Sequence, residues 1–123
     1  MSKKILLADN SRIALLLRCR ALSERTTHDI VIATDGNSAI EKAFAELPDL
    51  ILMDTSLPEK DGIAACIELR RDPRTASTPI VLLSNLCEKK HVDAAFGAGC
   101  SDYLLKPIDE SELIGVLEAY LDL

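Results

Sequence analysis

Five short apolar runs punctuate the chain: KKILLA at 3–8, DIVIAT at 29–34, DLILMD at 49–54, PIVLLS at 79–84 and SDYLL at 101–105. Their apolar residues are continuous rather than alternating, which is how strands read when both faces are covered, as in a parallel sheet between two helical layers. The intervening segments carry a different period. Val92, Ala95, Phe96 and Gly99 follow an i, i+3, i+4, i+7 spacing, as do Leu113, Val116, Leu117 and Tyr120, while Ile63, Cys66 and Ile67 repeat it briefly. These stripes predict helices with the named residues facing the core. Ser38 with Glu41 and Asp109 with Glu112 stand at capping-box spacing at helix starts, and Gly97 and Gly99 are placed to end the fourth helix. The polar stretch from Asp72 to Thr78 reads as a loop before the fourth strand.

The resulting order, βαβαβαβαβα, predicts one α/β domain over 1–123, a doubly wound (βα)5 unit with an open five-stranded parallel sheet and right-handed crossovers. Ligands of such sheets bind beyond the carboxyl ends of the strands. Those ends read Asp9 with Asn10, then Asp54, then Ser84 with Asn85, then Lys106 with Pro107. Singly each has a local explanation: Asp9, Asn10 or Ser11 could cap the first helix, Ser84 the fourth, Asp54 could cap a chain reversal, and Lys106 could be a solvated loop lysine. Together they form one polar edge. Two carboxylates about 4 Å apart repel by roughly 4 kcal/mol at an effective dielectric near 20, so the edge calls for a cation. Magnesium suits a site offering two carboxylates, waters and a phosphate oxygen.

Composition removes other classes. A net charge of −6 and a pI near 4.8 leave no basic face for a phosphate backbone, so no direct nucleic-acid partner is expected. The longest apolar run, Ile13 to Leu17, is far short of the roughly 20 residues of a membrane span. Lys3 and Lys4 precede only four apolar residues, Ile5 to Ala8, too few for a signal peptide, and a cytoplasmic location is expected. Cys19, Cys66, Cys87 and Cys100 lack metal or disulfide spacing, and His28 and His91 stand alone, so neither set is assigned a role.

The segments ILLADNS, DLILMDTSLPEKDG, PIVLLSN and DYLLKPI, at the intervals in which they occur, resemble the receiver domain of two-component response regulators, of the chemotaxis-regulator kind, along the whole chain. The resemblance implies a flavodoxin-like strand order 2-1-3-4-5. It further implies that Asp54 accepts a phosphoryl group from a histidine kinase or histidine phosphotransfer protein. Mg²⁺ would be held by Asp9, directly or through water, by Asp54, by the Ser56 carbonyl and by the Asn10 amide oxygen. Lys106 would pair with the phosphoryl oxygens and Ser84 would donate a hydroxyl hydrogen bond. Ser84 and Tyr103 would then switch the face made by the fourth helix, fifth strand and fifth helix, expected over Glu88–Ala98 and Glu110–Leu121 for the two helices. That face would control a downstream protein or a fused output domain. In the family the bond before Pro107 is usually cis. Such a protein is a switch that assists its own phosphorylation and dephosphorylation, not an enzyme with an independent substrate.

One position departs from the pattern. Family members usually carry two adjacent acids after the first strand, and Asn10 replaces the second, which should lower metal affinity. The alternative function is therefore a pseudo-receiver that works through protein contacts without phosphorylation. Retention of Asp9, Asp54, Ser84 and Lys106 weighs against it. An aspartyl phosphatase would need a second acid where Ser56 stands, and a dinucleotide binder would need glycines where the chain reads ADNSR.

Overall fold

The computed structural model describes residues 3–121, so the ends of the domain expected over 1–123 lie outside the described residues. Strands β1 (Lys4–Ala8), β2 (Asp29–Ala33), β3 (Leu50–Asp54), β4 (Ile80–Ser84) and β5 (Asp102–Leu105) alternate with helices α1 (Arg12–Arg25), α2 (Gly36–Glu46), α3 (Gly62–Arg71), α4 (Lys89–Gly97) and α5 (Glu110–Leu121). All neighbouring strands pair in parallel, in the order β2-β1-β3-β4-β5. This is the flavodoxin-like arrangement.

The alternation of side chains along each strand divides the interior into two cores. Leu6, Ala8, Ile51, Met53, Ile80 and Leu82 point to the side covered by α2, α3 and α4. Ile5, Leu7, Leu50, Leu52, Val81 and Leu83 point to the side covered by α1 and α5. β3 and β4 are buried throughout and β1 nearly so, whereas the edge strands β2 and β5 are partly exposed. Continuous apolar runs follow directly from this two-sided cover. The parity also sorts the strand ends: Asp9 and Asp54 continue the register toward α1 and α5, while Ser84 continues it toward α3 and α4.

Three helices start on a side-chain cap: Ser11 Oγ accepts from Ala14 N at 3.2 Å, Asp35 Oδ1 from Ser38 N at 2.7 Å, and Asp61 Oδ1 from Ala64 N at 2.8 Å. At α5 the expected capping box forms, with Glu112 N donating to Asp109 Oδ1 at 2.8 Å and Asp109 N reaching Glu112 Oε1 at 3.4 Å. The box expected at Ser38 and Glu41 does not form. Asp35 takes the cap, so Ser38 lies three positions inside α2 and Glu41 on its exposed side.

Two apolar stripes also face less inward than their spacing predicts. Phe96 is 49% exposed and Ile67 37%, because small or short residues beside them, Ala95 and Ala98 in and after α4 and Cys66 in α3, take the inward positions. Glu88 and Ala98 flank α4 as its caps rather than lying within it. Among the described residues no helix is long and apolar enough to cross a membrane.

Candidate functional site

The carboxyl ends of β1, β3 and β5 bring Asp9, Asp54 and Lys106 into one cluster. Lys106 Nζ lies 2.7 Å from Asp54 Oδ2 and 3.2 Å from Asp9 Oδ2, so a single ammonium bridges both carboxylates. Its backbone is fixed to the neighbouring strand end, Lys106 N donating to Ser84 O at 2.8 Å, and its bond to Pro107 is cis. Asp9 and Asp54 are almost wholly buried. Unpaired, either anion would be costly here; paired, each has a partner on both oxygens.

For Asp9 those partners are Ser11 N on Oδ1 at 2.9 Å, and Lys106 together with Arg18 Nη1 on Oδ2, the arginine at 2.7 Å. Burial opposes ionisation of this carboxyl, but the Arg18 guanidinium, the Ser11 amide and Lys106 outweigh it and hold its pKa below the ordinary 3.8. Asp54 Oδ1 accepts from Ser56 N at 3.0 Å, which bends the chain back immediately after β3.

The loop beyond Asp54 is held by close backbone approaches. Gly62 N donates to Thr55 O at 2.9 Å, and Pro58 O accepts from Lys60 N at 2.7 Å and Gly36 N at 3.2 Å. A Cβ on Gly62 would stand 2.3 Å from the Asp54 carbonyl oxygen, and one on Gly36 1.8 Å from that of Lys60. Only glycine fits at either contact, and the first sets Asp54 against the start of α3.

Ser84 is buried on the other side of the sheet end, its Oγ accepting from Leu86 N at 3.0 Å, which leaves the hydroxyl hydrogen free to donate. It does not cap α4. Tyr103, one strand over and of the same parity, is half-buried against the α2–α4 core, and its hydroxyl donates to Leu86 O at 2.6 Å. Thr55, Ser84, Leu86, His91 and Tyr103 line a cavity of about 270 Å³. Serine and tyrosine thus share a compartment next to the acidic cluster, with the 85–86 segment tied to both.

Asn10 and Ser56 are exposed at the lip of the cluster, and the Asn10 side chain makes no hydrogen bond among the described residues. A group of three or more acid, histidine or cysteine side chains able to hold a metal is absent among the described residues. What the cluster offers a cation is the carboxylates of Asp9 and Asp54, with Asn10 and Ser56 adjoining them along the chain. An all-oxygen set of this kind suits magnesium. The two carboxylates, however, already carry Lys106 and Arg18.

Two participants escape sequence reasoning. Arg18 projects from α1 behind the apolar run Ile13 to Leu17, and the only signal for it is the charge count at the strand ends, where two acids face one lysine. Thr55 has a buried hydroxyl with no partner beside the cavity, and nothing in its sequence position marks it. His28 accepts a backbone bond from Lys3 N at 2.9 Å far from the cluster, and the four cysteines are free thiols.

Comparison with known proteins agrees with this geometry. Residues 5–118 match the family described as the response regulator receiver domain. The alkaline phosphatase synthesis transcriptional regulatory protein PhoP of Bacillus subtilis is 36% identical over 121 residues, covering 98% of this chain and 49% of that protein. Protein PilH of Pseudomonas aeruginosa is 30% identical over 120 residues, covering 96% of this chain and 97% of that one. This chain spans about half or less of the longer curated relatives it matches, from 49% down to 11%. The receiver domain of a sensor histidine kinase from Pseudomonas aeruginosa, solved with a magnesium ion coordinated in its active-site cleft, superposes with a TM-score of 0.90 at 27% identity, covering 100% of both chains. The chain belongs to the response regulator receiver domain family of two-component signalling.

Proposed function

We propose that this receiver domain is a phosphorylation switch in which Asp54 accepts a phosphoryl group from a phosphohistidine of a histidine kinase or phosphotransfer protein. In the transfer an Asp54 carboxylate oxygen bonds to phosphorus as the P–N bond breaks, and the leaving imidazole takes up a proton. The observation that carries the reading is the Lys106 ammonium, 2.7 Å from Asp54 Oδ2 and shared with Asp9. It stands where the charge of the arriving phosphoryl oxygens develops. A magnesium ion held by Asp9, Asp54, Asn10 and the Ser56 carbonyl would supply further neutralisation of that charge.

After transfer, Lys106 re-pairs with a phosphoryl oxygen, and the free hydroxyl hydrogen of Ser84 finds an acceptor there. Ser84 Oγ at present holds Leu86 N, and Leu86 O holds Tyr103. Movement of Ser84 therefore loosens the tether of the tyrosine and reshapes the face of α4, β5 and α5, where Phe96 and Leu105 are exposed. That face would engage a downstream protein or a fused output domain. The domain assists its own phosphorylation and dephosphorylation and has no separate substrate. A second reading, a pseudo-receiver that works unphosphorylated, draws support from one feature: Asn10 replaces an acid while Arg18 already neutralises Asp9.

The test is incubation with acetyl phosphate, with and without Mg²⁺, followed by intact mass. One added phosphoryl group, dependent on Mg²⁺ and absent in Asp54→Ala, is the expected result. Labelling that persists in Asp54→Ala refutes the assignment of the acceptor, and no labelling under any condition favours the pseudo-receiver.

A further inference from the structure

We infer that Arg18 is a counter-ion built into the fold, which occupies Asp9 in place of a divalent cation and sets how tightly this receiver binds metal. The inference rests on the proposed metal site, but not on phosphorylation. Three observations converge on it. Arg18 Nη1 lies 2.7 Å from Asp9 Oδ2, with the arginine side chain only 16% exposed and the aspartate 1%. The contact is buried, so it differs from the solvent-screened pairs elsewhere on the surface, such as Lys89–Asp93 at 88% and 60% exposure.

The second observation is the balance of charge. Asp9 and Asp54 contribute two negative charges, and Lys106 and Arg18 two positive ones, all within one hydrogen-bonded chain. The cluster is therefore neutral as it stands. A divalent ion entering it faces no net attraction unless a cation withdraws.

The third is Asn10. A second acid beside Asp9 would restore a net negative charge even with Arg18 in place, and the amide does not. Substitution and counter-ion act in the same direction: one removes an anion from the site and the other covers the anion that remains. Arg18 has a way out, because it lines an open groove with Ser11, Leu17, Asn85 and Pro107 into which its flexible stem can swing.

Arg18 is thus a positioning residue for Asp9 and a competitor of the metal. The experiment is calorimetric titration of Mg²⁺ into the unphosphorylated protein at low ionic strength, comparing wild type, Arg18→Gln, Asn10→Asp and the double variant. Arg18→Gln is expected to tighten Mg²⁺ binding on the order of tenfold, the effect of one nearby unit charge on a divalent ion at the screened end of the Coulomb range. Asn10→Asp should tighten it as well, and the double variant most of all. In Mg²⁺-free buffer Arg18→Gln should melt below wild type, and added Mg²⁺ should raise its melting temperature more than that of wild type, whereas loss of a purely structural contact would leave the two Mg²⁺-dependent shifts equal.

Binding to Arg18→Gln that is no tighter than to wild type, or undetectable in both, overturns the inference. If that variant does not fold, the wild-type protein gives the answer: the Arg18 side-chain Nε–H resonance should shift along the Mg²⁺ titration with the same midpoint as binding. An unmoved resonance while metal binds overturns it equally. None of these readouts involves acetyl phosphate, so failure of the phosphorylation reading and failure of this inference are separable.

Discussion

The two ends of the sheet are each gathered around one arginine, and the partners of the two arginines differ in kind. At the amino ends of β4 and β5, Arg70 from the last turn of α3 donates through Nε to Gly99 O at 2.7 Å and through Nη1 to Thr78 O at 2.6 Å and Thr75 O at 3.1 Å. Its Nη2 reaches Ser101 Oγ at 3.3 Å, and that hydroxyl also receives Ile80 N at 3.1 Å. Every acceptor is neutral, and most are backbone carbonyls, with no second cation claiming any of them. At the carboxyl ends, Arg18 holds a carboxylate that Lys106 also claims. The first arrangement can only be kept or broken, whereas the second, in the proposed function, is exchanged for another cation or for a phosphoryl group. An arginine on carbonyls fastens loops; an arginine on a shared carboxylate makes a switchable contact.

The largest expected effect comes from breaking the exchangeable end at its centre. Asp54→Asn should abolish phosphoryl incorporation, read by intact mass, while thermal unfolding remains a single transition. Arg70→Ala should do the reverse. It removes several charge-assisted bonds to loop carbonyls and should cost about 2–4 kcal/mol in denaturant unfolding, yet leave phosphorylation of the folded protein intact. An Arg70→Ala protein as stable as wild type, or one that loses phosphorylation while folded, would collapse the distinction between the two ends.

The same distinction explains what could be read from the sequence. The strands were legible because β1, β3 and β4 are covered on both faces, so residues such as Leu50 to Met53 had to be apolar without a break. Asp54 and Lys106 each had a bland explanation alone and were legible only together, as parts of one polar edge at the strand ends. The Ser38–Glu41 box misled because the same local pattern is compatible with a cap at Asp35, and geometry rather than spacing chooses between them. Phe96 misled because the phase of α4 is set by how Ala95 and Ala98 settle against the core. Arg18 was signalled only by the excess of acid at the strand ends: it follows Ile13 to Leu17, and the packing of α1 on the sheet turns it toward Asp9.

A smaller effect probes the compartment of Ser84 and Tyr103 beside the acidic cluster. Tyr103→Phe removes the 2.6 Å bond from the hydroxyl to Leu86 O and leaves the ring in place. The expected cost is about 1 kcal/mol in denaturant unfolding, the ordinary net worth of one hydrogen bond. In the phosphorylation reading this variant should still incorporate phosphate but show, by NMR, more uniform ring environments between its two states. A cost near zero would mean that the tether to the 85–86 segment does not hold the tyrosine, and that Ser84 cannot act on it by that route.

The smallest effect is a contrast of pH dependence between the two ends. Asp9 has its pKa held below the ordinary 3.8, so its contribution to stability is present above that value and drains away as the pH falls below it. Cys100, packed close to Arg70, behaves oppositely. Burial, with added repulsion from Cys66 and Asp102 and a partial offset from Arg70, pushes its thiol from 9.0 up to about 11. The folded state then keeps a proton that the unfolded chain has lost, so the stability it confers is complete below pH 9 and is lost as the pH rises toward 11. By pH 10 the loss should be about 1 kcal/mol. Cys100→Ala should be weaker than wild type at neutral pH, from the lost packing, but its stability should fall less steeply between pH 9 and 10. Parallel slopes for the two proteins would place the Cys100 thiol in a wetter setting than its burial implies, and would remove the pH contrast between the two ends.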